Sequence, residues 1–162
     1  MNEKVPELIV YADGSALGNP GPAGWAFWVN KSYWAAGGFT HSTNNVGELT
    51  AIAELLRYIH PSIPLEIRCD SKYAISCSSE WLTGWKRRGW VKADGKPVAN
   101  REILESIDSA LSKRQAPVRF TWVKGHSGEP GNDAADELAR AAATRAKRGD
   151  LKVQVGPQVA MS

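Results

Sequence analysis

The sequence predicts one α/β domain built on a mixed sheet with helices around it. Three short strands come first, at residues 8–13, 25–29 and 33–39, and turns join them into an antiparallel meander. A helical stretch at residues 43–59 then separates the first strand from another apolar strand at residues 65–70. A helix between two strands implies a right-handed crossover, so these two strands run parallel.

The length and composition fit this class. With 162 residues the chain can bury most of its unfolded surface in one core. Its two cysteines, Cys69 and Cys77, are too few for the disulfide framework of a secreted protein and lack zinc-type spacing. The sequence has no charged-then-apolar leader and no apolar run long enough to cross a bilayer. We therefore expect a cytoplasmic protein with reduced thiols and no membrane partner.

The first strand leads to a carboxylate. Residues 8–12 carry the chain to Asp13, and Gly14 and Ser15 are expected to turn it away from the strand. Asp is a favoured turn residue, so on this stretch alone Asp13 is interpreted as the opening of a turn. The glycine-rich connection that follows is not a phosphate loop, because it lacks a Gly-Lys-Ser/Thr ending and leads into a strand.

The first helix carries a carboxylate on its apolar face. Thr43 and the two asparagines after it are good cap residues, and the helix is expected to stop before Pro61. On a helical wheel Glu48 falls within the apolar arc around Ile52, whereas Glu54 points away. Glu48 therefore faces the sheet. The helix dipole near the helix start would explain its charge but not its direction.

A second strand ends as the first does, at Asp70 followed by Ser71. Because the two strands are parallel neighbours, Asp13 and Asp70 reach the same edge of the sheet, and Glu48 enters near that edge from the helix start. Like charges at such a distance repel one another. A bound cation or a shared proton is the usual way in which that repulsion is relieved.

The middle of the chain is predicted to be mainly helical. A short helix at residues 72–80 leads into a basic stretch rich in tryptophan at residues 81–90. Asn100 is expected to cap a helix with apolar residues at helical spacing up to Leu111. A fifth strand follows at residues 118–123.

The last predicted helix, residues 133–143, is rich in alanine and holds Asp136 in its first turn. The helix dipole alone could account for Asp136. His126 lies before this helix, in a loop flanked by glycines. Residues 145–162 show no sustained period, and we expect this tail to be mobile.

Four carboxylates are thus predicted at one sheet edge: Asp13, Glu48, Asp70 and Asp136. An open α/β sheet places its site at the carboxyl ends of its strands. Without zinc-type His or Cys partners, such a set suits a hard divalent cation, Mg²⁺ or Mn²⁺. Two ions can clamp the attacking and leaving oxygens of a displacement at phosphorus, so the pattern favours phosphoryl transfer.

The sequence resembles type 1 ribonuclease H, the bacterial ribonuclease HI family, over nearly the whole chain up to about Ala143. The stretches that carry the resemblance are Tyr11-Ala12-Asp13-Gly14-Ser15, Gly18-Asn19-Pro20-Gly21-Pro22, Thr43-Asn44-Asn45 with Glu48-Leu49, Asp70-Ser71, Trp81 through Trp90, Trp122-Val123-Lys124-Gly125-His126 and Asp136-Glu137-Leu138-Ala139. The resemblance implies a ribonuclease H-like fold, a five-stranded mixed sheet in the order 3-2-1-4-5 with strand 2 antiparallel and helices on both faces. Residues 1–144 would form the catalytic domain and residues 145–162 a C-terminal tail.

The resemblance further implies an endonuclease that hydrolyses the RNA strand of RNA–DNA hybrids without sequence specificity, and we expect it to be a monomer. Its products would carry 5′-phosphate and 3′-hydroxyl ends. By position, Asp13 would bridge two Mg²⁺ ions, for which Mn²⁺ substitutes, and Asp70 would help to hold the ion that activates water. Glu48 and Asp136 would hold the ion beside the leaving oxygen. His126 would assist proton transfer or product departure.

Two of these assignments depend on the family motif. The Asp-Glu-Leu-Ala motif selects Asp136 over the nearby Asp133, which is better explained as a charge at the helix start. Without the motif, His126 would be interpreted as a loop histidine with no role.

The resemblance also implies a substrate-binding surface. The basic stretch at residues 81–90 resembles the family's basic protrusion. In that protrusion cations contact phosphates, and aromatic rings pack against the nucleic-acid strand or the body of the domain. The predicted substrate-binding residues are Asn19, Thr43, Asn44, Asn45, Lys72, Trp81, Trp85, Lys86, Arg87, Arg88 and Asn100. Asn19 and Asn44 match positions near the RNA strand, where contacts to the 2′-hydroxyl distinguish RNA from DNA. Thr43 and Asn100 match a pocket for a DNA-strand phosphate.

The chain departs from common family members at two of these places. His41 stands where an arginine often supports the phosphate pocket, and Lys72 stands where an amide often touches bases. Two other functions remain open at this point: a hybrid-binding module without catalysis, and an integrase or junction resolvase that acts on DNA. The presence of all four carboxylates argues against the first. The tryptophan-rich basic stretch and Asn44-Asn45 favour ribonuclease H over the second.

Overall fold

The computed structural model of the chain describes residues 5–160, so residues 1–4 and 161–162 of the predicted domain and tail lie outside the described residues. The described part contains six strands: β1 (Leu8–Ala16), β2 (Gly21–Asn30), β3 (Tyr33–Ser42), β4 (Leu65–Cys69), β5 (Val118–Trp122) and β6 (Gln154–Val155). Its helices are α1 (Asn44–Tyr58), α2 (Lys72–Ser76), α3 (Leu82–Arg87), α4 (Arg101–Ser112), α5 (Pro130–Lys147) and α6 (Pro157–Ala160), with a π-helical turn (Cys77–Trp81) between α2 and α3.

The strands form one mixed sheet in the order β5-β4-β1-β2-β3-β6. β1, β2 and β3 pair antiparallel, while β4 runs parallel to both β1 and β5. The predicted order 3-2-1-4-5, with the second strand antiparallel, is confirmed. The crossover through α1 makes β1 and β4 parallel neighbours, and this brings their carboxyl ends to one edge.

The sheet has one strand more than the sequence predicted. β6 pairs antiparallel with β3, with Val155 opposite Ala35. Part of the segment that we expected to be mobile is therefore paired with the sheet, because β3 would otherwise be an edge strand with unpaired backbone groups. α5 also extends beyond its predicted end, to Lys147. The division of the chain at residue 144 remains a prediction.

Helices cover both faces of the sheet, as the resemblance implied. Strand residues alternate between faces, so Phe27 joins the larger core with α1 and α4, whereas Ala26 packs with Ala139 and Ala142 of α5. None of the helices in residues 5–160 has both the length and the apolar character that a membrane span needs.

The start of α1 lies directly on β1. A Cβ atom at Gly14 would come 2.3 Å from the backbone nitrogen of Glu48, so only glycine fits at this position. Thr43 begins the helix as predicted, because its side-chain oxygen accepts a hydrogen bond from the amide of Val46. This close approach places Glu48, in the second turn of α1, beside the strand that carries Asp13.

Three local predictions are corrected. β1 continues through residue 16, so Asp13 lies within a strand and Gly14 and Ser15 do not turn the chain, because the pairing with β2 extends to Ala16. Asn100 is the N-cap residue of α4, as predicted, but it is in a left-handed conformation with φ of 61° and its side chain makes no capping hydrogen bond. Its side-chain amide instead donates to the hydroxyl of Tyr73.

α5 begins at Pro130, which moves Asp136 from the first turn of the helix into the second.

On the opposite face, α5 approaches the sheet closely enough to exclude side chains. A Cβ atom at Gly24 would lie 2.1 Å from the carbonyl oxygen of Ala139. We therefore expect Gly24→Ala to lower the free energy of unfolding by about 1–3 kcal/mol or more, because β2 or α5 must move. Urea denaturation measures this change.

The control for that variant is Gly84→Ala in α3, where a Cβ atom would meet only the Arg88 guanidinium at 3.5 Å, an ordinary contact. This second change should leave stability unchanged or raise it slightly. Equal stability of both variants would contradict the close packing of α5 on β2.

Candidate active site

Asp13 and Asp70 lie side by side at one edge of the sheet. Ala12 of β1 is opposite Cys69 of β4 in the parallel register. The residues that follow them, Asp13 and Asp70, are therefore neighbours. Neighbouring strands are about 4.8 Å apart, and residues in register point to the same face. Asp13 is buried, with 3% of its surface exposed, and its Oδ1 accepts a hydrogen bond from the Gly14 amide at 2.9 Å.

Glu48 reaches the same place from α1 and is also buried. Its Oε2 lies 3.4 Å from the Sγ of Cys69, which donates a hydrogen bond to it. Ligand atoms of Glu48, Cys69 and Asp70 all lie within 4.8 Å of one another. The helical wheel thus predicted the direction of Glu48 correctly, although it could not predict the thiol beside it.

The other two predicted groups approach Asp70 from the last third of the chain. A Cβ atom at Gly125 would lie 2.8 Å from Oδ2 of Asp70, so the loop that carries His126 passes against this carboxylate. His126 itself is in the left-handed conformation, with φ of 56°. Asp136 projects from α5, where its Oδ2 is 3.1 Å from Nε of Arg140.

The electrostatics show how crowded these carboxylates are. Burial, and then repulsion from Asp70, raises the pKa of Asp13 to about 7. Burial and then Asp13 raise the pKa of Glu48 well above its usual range. Burial and then Asp136 raise the pKa of Asp70. Without a cation, the group therefore retains protons near neutral pH.

This donor set fits a hard divalent cation. Carboxylate oxygens are the ligands that Mg²⁺ and Mn²⁺ prefer, and a cation would offset both the burial and the repulsion that raise the three pKa values. Asp13, Glu48, Asp70 and Asp136 are the residues that would hold such ions. Cys69, although close, is a fully buried thiol whose pKa is raised well above its usual range by burial and then by Glu48.

Comparisons with known proteins agree with this geometry. A model of the RNase H family matches residues 5–144 of the chain. The chain belongs to the RNase H family, as a type 1 member. It is 50% identical over 138 residues to a ribonuclease H of Tropheryma whipplei, an alignment that spans 85% of this chain and 84% of that relative.

Two solved structures have the same fold as this ribonuclease H. LC9-RNase H1, a type 1 RNase H with the type 2 active-site motif, matches with a TM-score of 0.70 and 26% identity over 88% of this chain and 75% of that one. LC11-RNase H1 in complex with RNA/DNA hybrid matches with a TM-score of 0.62 and 24% identity over 85% of this chain and 97% of that one.

The predicted substrate-binding residues of this ribonuclease H fall into two groups. The first lies at the starts of α1 and α2 and on the loops that contact them. Oδ1 of Asn19 accepts a hydrogen bond from the backbone amide of Asn44 at 3.2 Å. This bond links the connection between β1 and β2 to the start of α1. Thr43 and Asn45 belong to the same helix start. Asn100 is linked through the Tyr73 hydroxyl to α2, whose first residue is Lys72.

The second group lies on the π-helical turn and α3. The rings of Trp81 and Trp85 are 5.6 Å apart, and Trp81 remains exposed. Nζ of Lys86 is 2.8 Å from Oδ2 of Asp108 on α4. Arg87 and Arg88 are exposed. The structure thus brings aromatic rings and exposed cations together on this stretch, and its role in substrate binding stays a prediction.

Sequence reasoning missed Trp122 as a candidate for the site. This indole is exposed at the end of β5, yet its Nε1 donates a hydrogen bond to the backbone carbonyl of Asp70 at 3.0 Å. The ammonium of Lys72 lies 4.6 Å from the centre of the same ring. Only the register of β5 on β4 brings Trp122 opposite Cys69, and the sequence pattern does not determine that register.

Asp13→Asn is expected to stabilise the ion-free fold at alkaline pH. The unfolded pKa of an Asp is about 3.9, and the pKa of Asp13 in the fold is about 7. The stability that this raised pKa contributes is complete below about pH 4 and is lost as the pH rises through about 7. In EDTA at about pH 8, the variant should therefore have a free energy of unfolding roughly 1–4 kcal/mol above the wild type.

Urea unfolding across the pH range measures this difference, which should close towards about pH 4. The exposed Asp133 provides the control, because Asp133→Asn should show no such trend. A difference between Asp13→Asn and the wild type that does not depend on pH would contradict the crowded site.

Proposed function

We propose that this ribonuclease H cleaves the RNA strand of RNA–DNA hybrids endonucleolytically, with two Mg²⁺ ions held by its four carboxylates. The products carry 5′-phosphate and 3′-hydroxyl ends, and cleavage does not depend on sequence. The observation that carries the proposal is the set of buried carboxylates with raised pKa values at one sheet edge. Mn²⁺ substitutes for Mg²⁺, because both ions prefer carboxylate oxygens.

Each carboxylate has a separate task in this proposal. Asp13 lies on β1 and would be a ligand of both ions, while Asp70 would help to hold the ion on the water side. Glu48 and Asp136 would hold the ion on the side of the leaving oxygen. When bound, the pair of ions lowers the pKa of water and neutralises charge on the oxygens at phosphorus. His126, on the loop against Asp70, assists proton transfer or product departure.

The hybrid is held by the two groups of substrate-binding residues. Asn44 and Asn45 lie in the first turn of α1, about one turn before Glu48, and Asn19 is hydrogen-bonded to Asn44. Amides at this place can contact 2′-hydroxyl groups and so select RNA. The exposed cations of α3 contact phosphates further along the duplex. Lys72, which stacks on Trp122, supplies a further cation next to Asp70.

We further propose that the protein acts as a monomer in the cytoplasm. Its two cysteines are both unpaired and buried, which agrees with a reducing compartment. The core and the sheet edge are built within one chain, and all four carboxylates come from it.

A cleavage assay tests the proposed function. With Mg²⁺ the wild type should cleave RNA in a hybrid but not duplex DNA or duplex RNA, and EDTA should stop the cleavage. Asp13→Asn should abolish cleavage while hybrid binding stays largely intact, because the change removes a ligand that both ions share. Cleavage of duplex DNA would instead support a resolvase, and hybrid binding without any cleavage would support a binding module.

The pair Asp136 and Asp133 gives a matched comparison on one helix. Asp136→Asn should lower the cleavage rate by about a hundredfold or more, since it removes a ligand of the ion near the leaving oxygen. Asp133→Asn should retain nearly full activity. The reverse result would overturn the assignment of Asp136.

Changing Lys86, Arg87 and Arg88 together to Ala should weaken hybrid binding and flatten its dependence on salt. Loss of roughly one to three phosphate contacts reduces the magnitude of the negative slope of log K against log salt by about that number. A matched control changes Arg145, Lys147 and Arg148, three basic residues at the far end of α5 from Asp136. If the variant changed at Lys86, Arg87 and Arg88 kept the wild-type slope, these three cations would not be part of the binding surface.

A further inference from the structure

Cys69 occupies an unusual place beneath the carboxylates. It is the last residue of β4, it is fully buried, and it directly precedes Asp70. The alternation of the strand turns its side chain away from the face of Asp70 and towards α1, in line with Ile67. The thiol therefore lies on the side of the sheet from which Glu48 enters.

The hydrogen bonds of Cys69 set the direction of its thiol proton. The backbone amide of Ser71 donates to Sγ at 3.4 Å. Sγ in turn is 3.4 Å from Oε2 of Glu48. The thiol is the donor in the second contact, and it stays the donor when Glu48 is ionised as a metal ligand, because an ionised carboxylate can only accept. The chain of bonds runs from the start of α2, through Cys69, to the carboxylate on α1.

We propose that Cys69 is a positioning residue, which holds Oε2 of Glu48 by a hydrogen bond and so presents the carboxylate to the divalent ion. This inference rests on the proposed function. Glu48 is a long side chain with several rotatable bonds, and its other hydrogen-bonding neighbour, Asp13, is itself an acid. A neutral donor fixed by the backbone of Ser71 orients Glu48 without adding charge. Partners of this kind affect metal affinity or activity by about 10- to 100-fold.

The alternative is that Cys69 only fills space. Free cysteine is among the most buried residue types and packs as a small hydrophobe. The other two residues of β4 on this face, Leu65 and Ile67, are branched and apolar, so an apolar residue would suit position 69 equally if packing were its whole role. The two roles make different demands on the side chain, because only the positioning role needs a donor.

Valine and threonine separate the two roles, since they have nearly the same shape and only threonine has a hydroxyl donor. Calorimetric titration of Mg²⁺ into the full chain is the primary measurement. Cys69→Thr should bind Mg²⁺ within about twofold of the wild type, whereas Cys69→Val should bind about tenfold more weakly. The cleavage rate at limiting Mg²⁺ should follow the same order, and saturating Mg²⁺ should restore part of the loss in Cys69→Val.

Smaller variants keep the test valid if the β-branched pair does not fold. Cys69→Ser retains a donor and Cys69→Ala does not, and neither can overpack the site. Cys77→Val serves as the control, because Cys77 is the other fully buried thiol and lies in the π-helical turn. It should leave Mg²⁺ affinity unchanged, and urea unfolding of each variant reports stability separately.

The outcomes distinguish this inference from the proposed function. If the wild type binds Mg²⁺ and cleaves hybrid but the donor and non-donor variants of each pair bind Mg²⁺ equally, Cys69 only fills space and the inference is overturned. If the wild type neither binds Mg²⁺ nor cleaves hybrid, the proposed function fails, and the positioning role fails with it. Weaker Mg²⁺ binding in both non-donor variants, with rescue in both donor variants, supports the inference.

Discussion

Like charges that must lie close together are the constraint on which this structure depends. Asp13, Glu48 and Asp70 are held where burial and mutual repulsion raise their pKa values, and Asp136 adds to the repulsion. Such an arrangement opposes folding, since burial removes hydration from the ionised carboxylates and places their like charges close together. The surrounding fold must therefore position these groups firmly, and a bound divalent ion would turn the repulsion into attraction.

Close backbone packing supplies this firmness. Gly14 lets α1 approach β1 until the Glu48 amide lies where a side chain would otherwise be, and Gly24 lets α5 approach from the opposite face. Around the carboxylates, neutral donors add direction. The Trp122 indole fixes the backbone of Asp70, and the Cys69 thiol contacts Glu48. Trp122 and Cys69 belong to strands, and a site supported by strands and helices is held more precisely than one supported by loops.

The sequence predicted the parts of this structure that have a local signal. The apolar periods predicted the strands and the first helix, and the wheel position of Glu48 predicted its direction, whereas the strand order was implied by the family resemblance. What the sequence missed depends on tertiary pairing. The pairing of Val155 in β6 with β3 contributes little local pattern, and the contact of Trp122 with Asp70 requires the register of β5 on β4. Asn100 is of a residue type that often caps helices, yet its side-chain amide donates a hydrogen bond to the hydroxyl of Tyr73, which is distant in sequence.

Proton release on Mg²⁺ binding tests most directly whether the carboxylates are crowded and share protons that the ions displace. Calorimetric titration in buffers of different ionisation enthalpy counts the protons. The account predicts release when Mg²⁺ binds at about pH 6.5, because ligands must lose protons to bind, and less release as the pH rises. Mg²⁺ binding at the lower pH without proton release would contradict it.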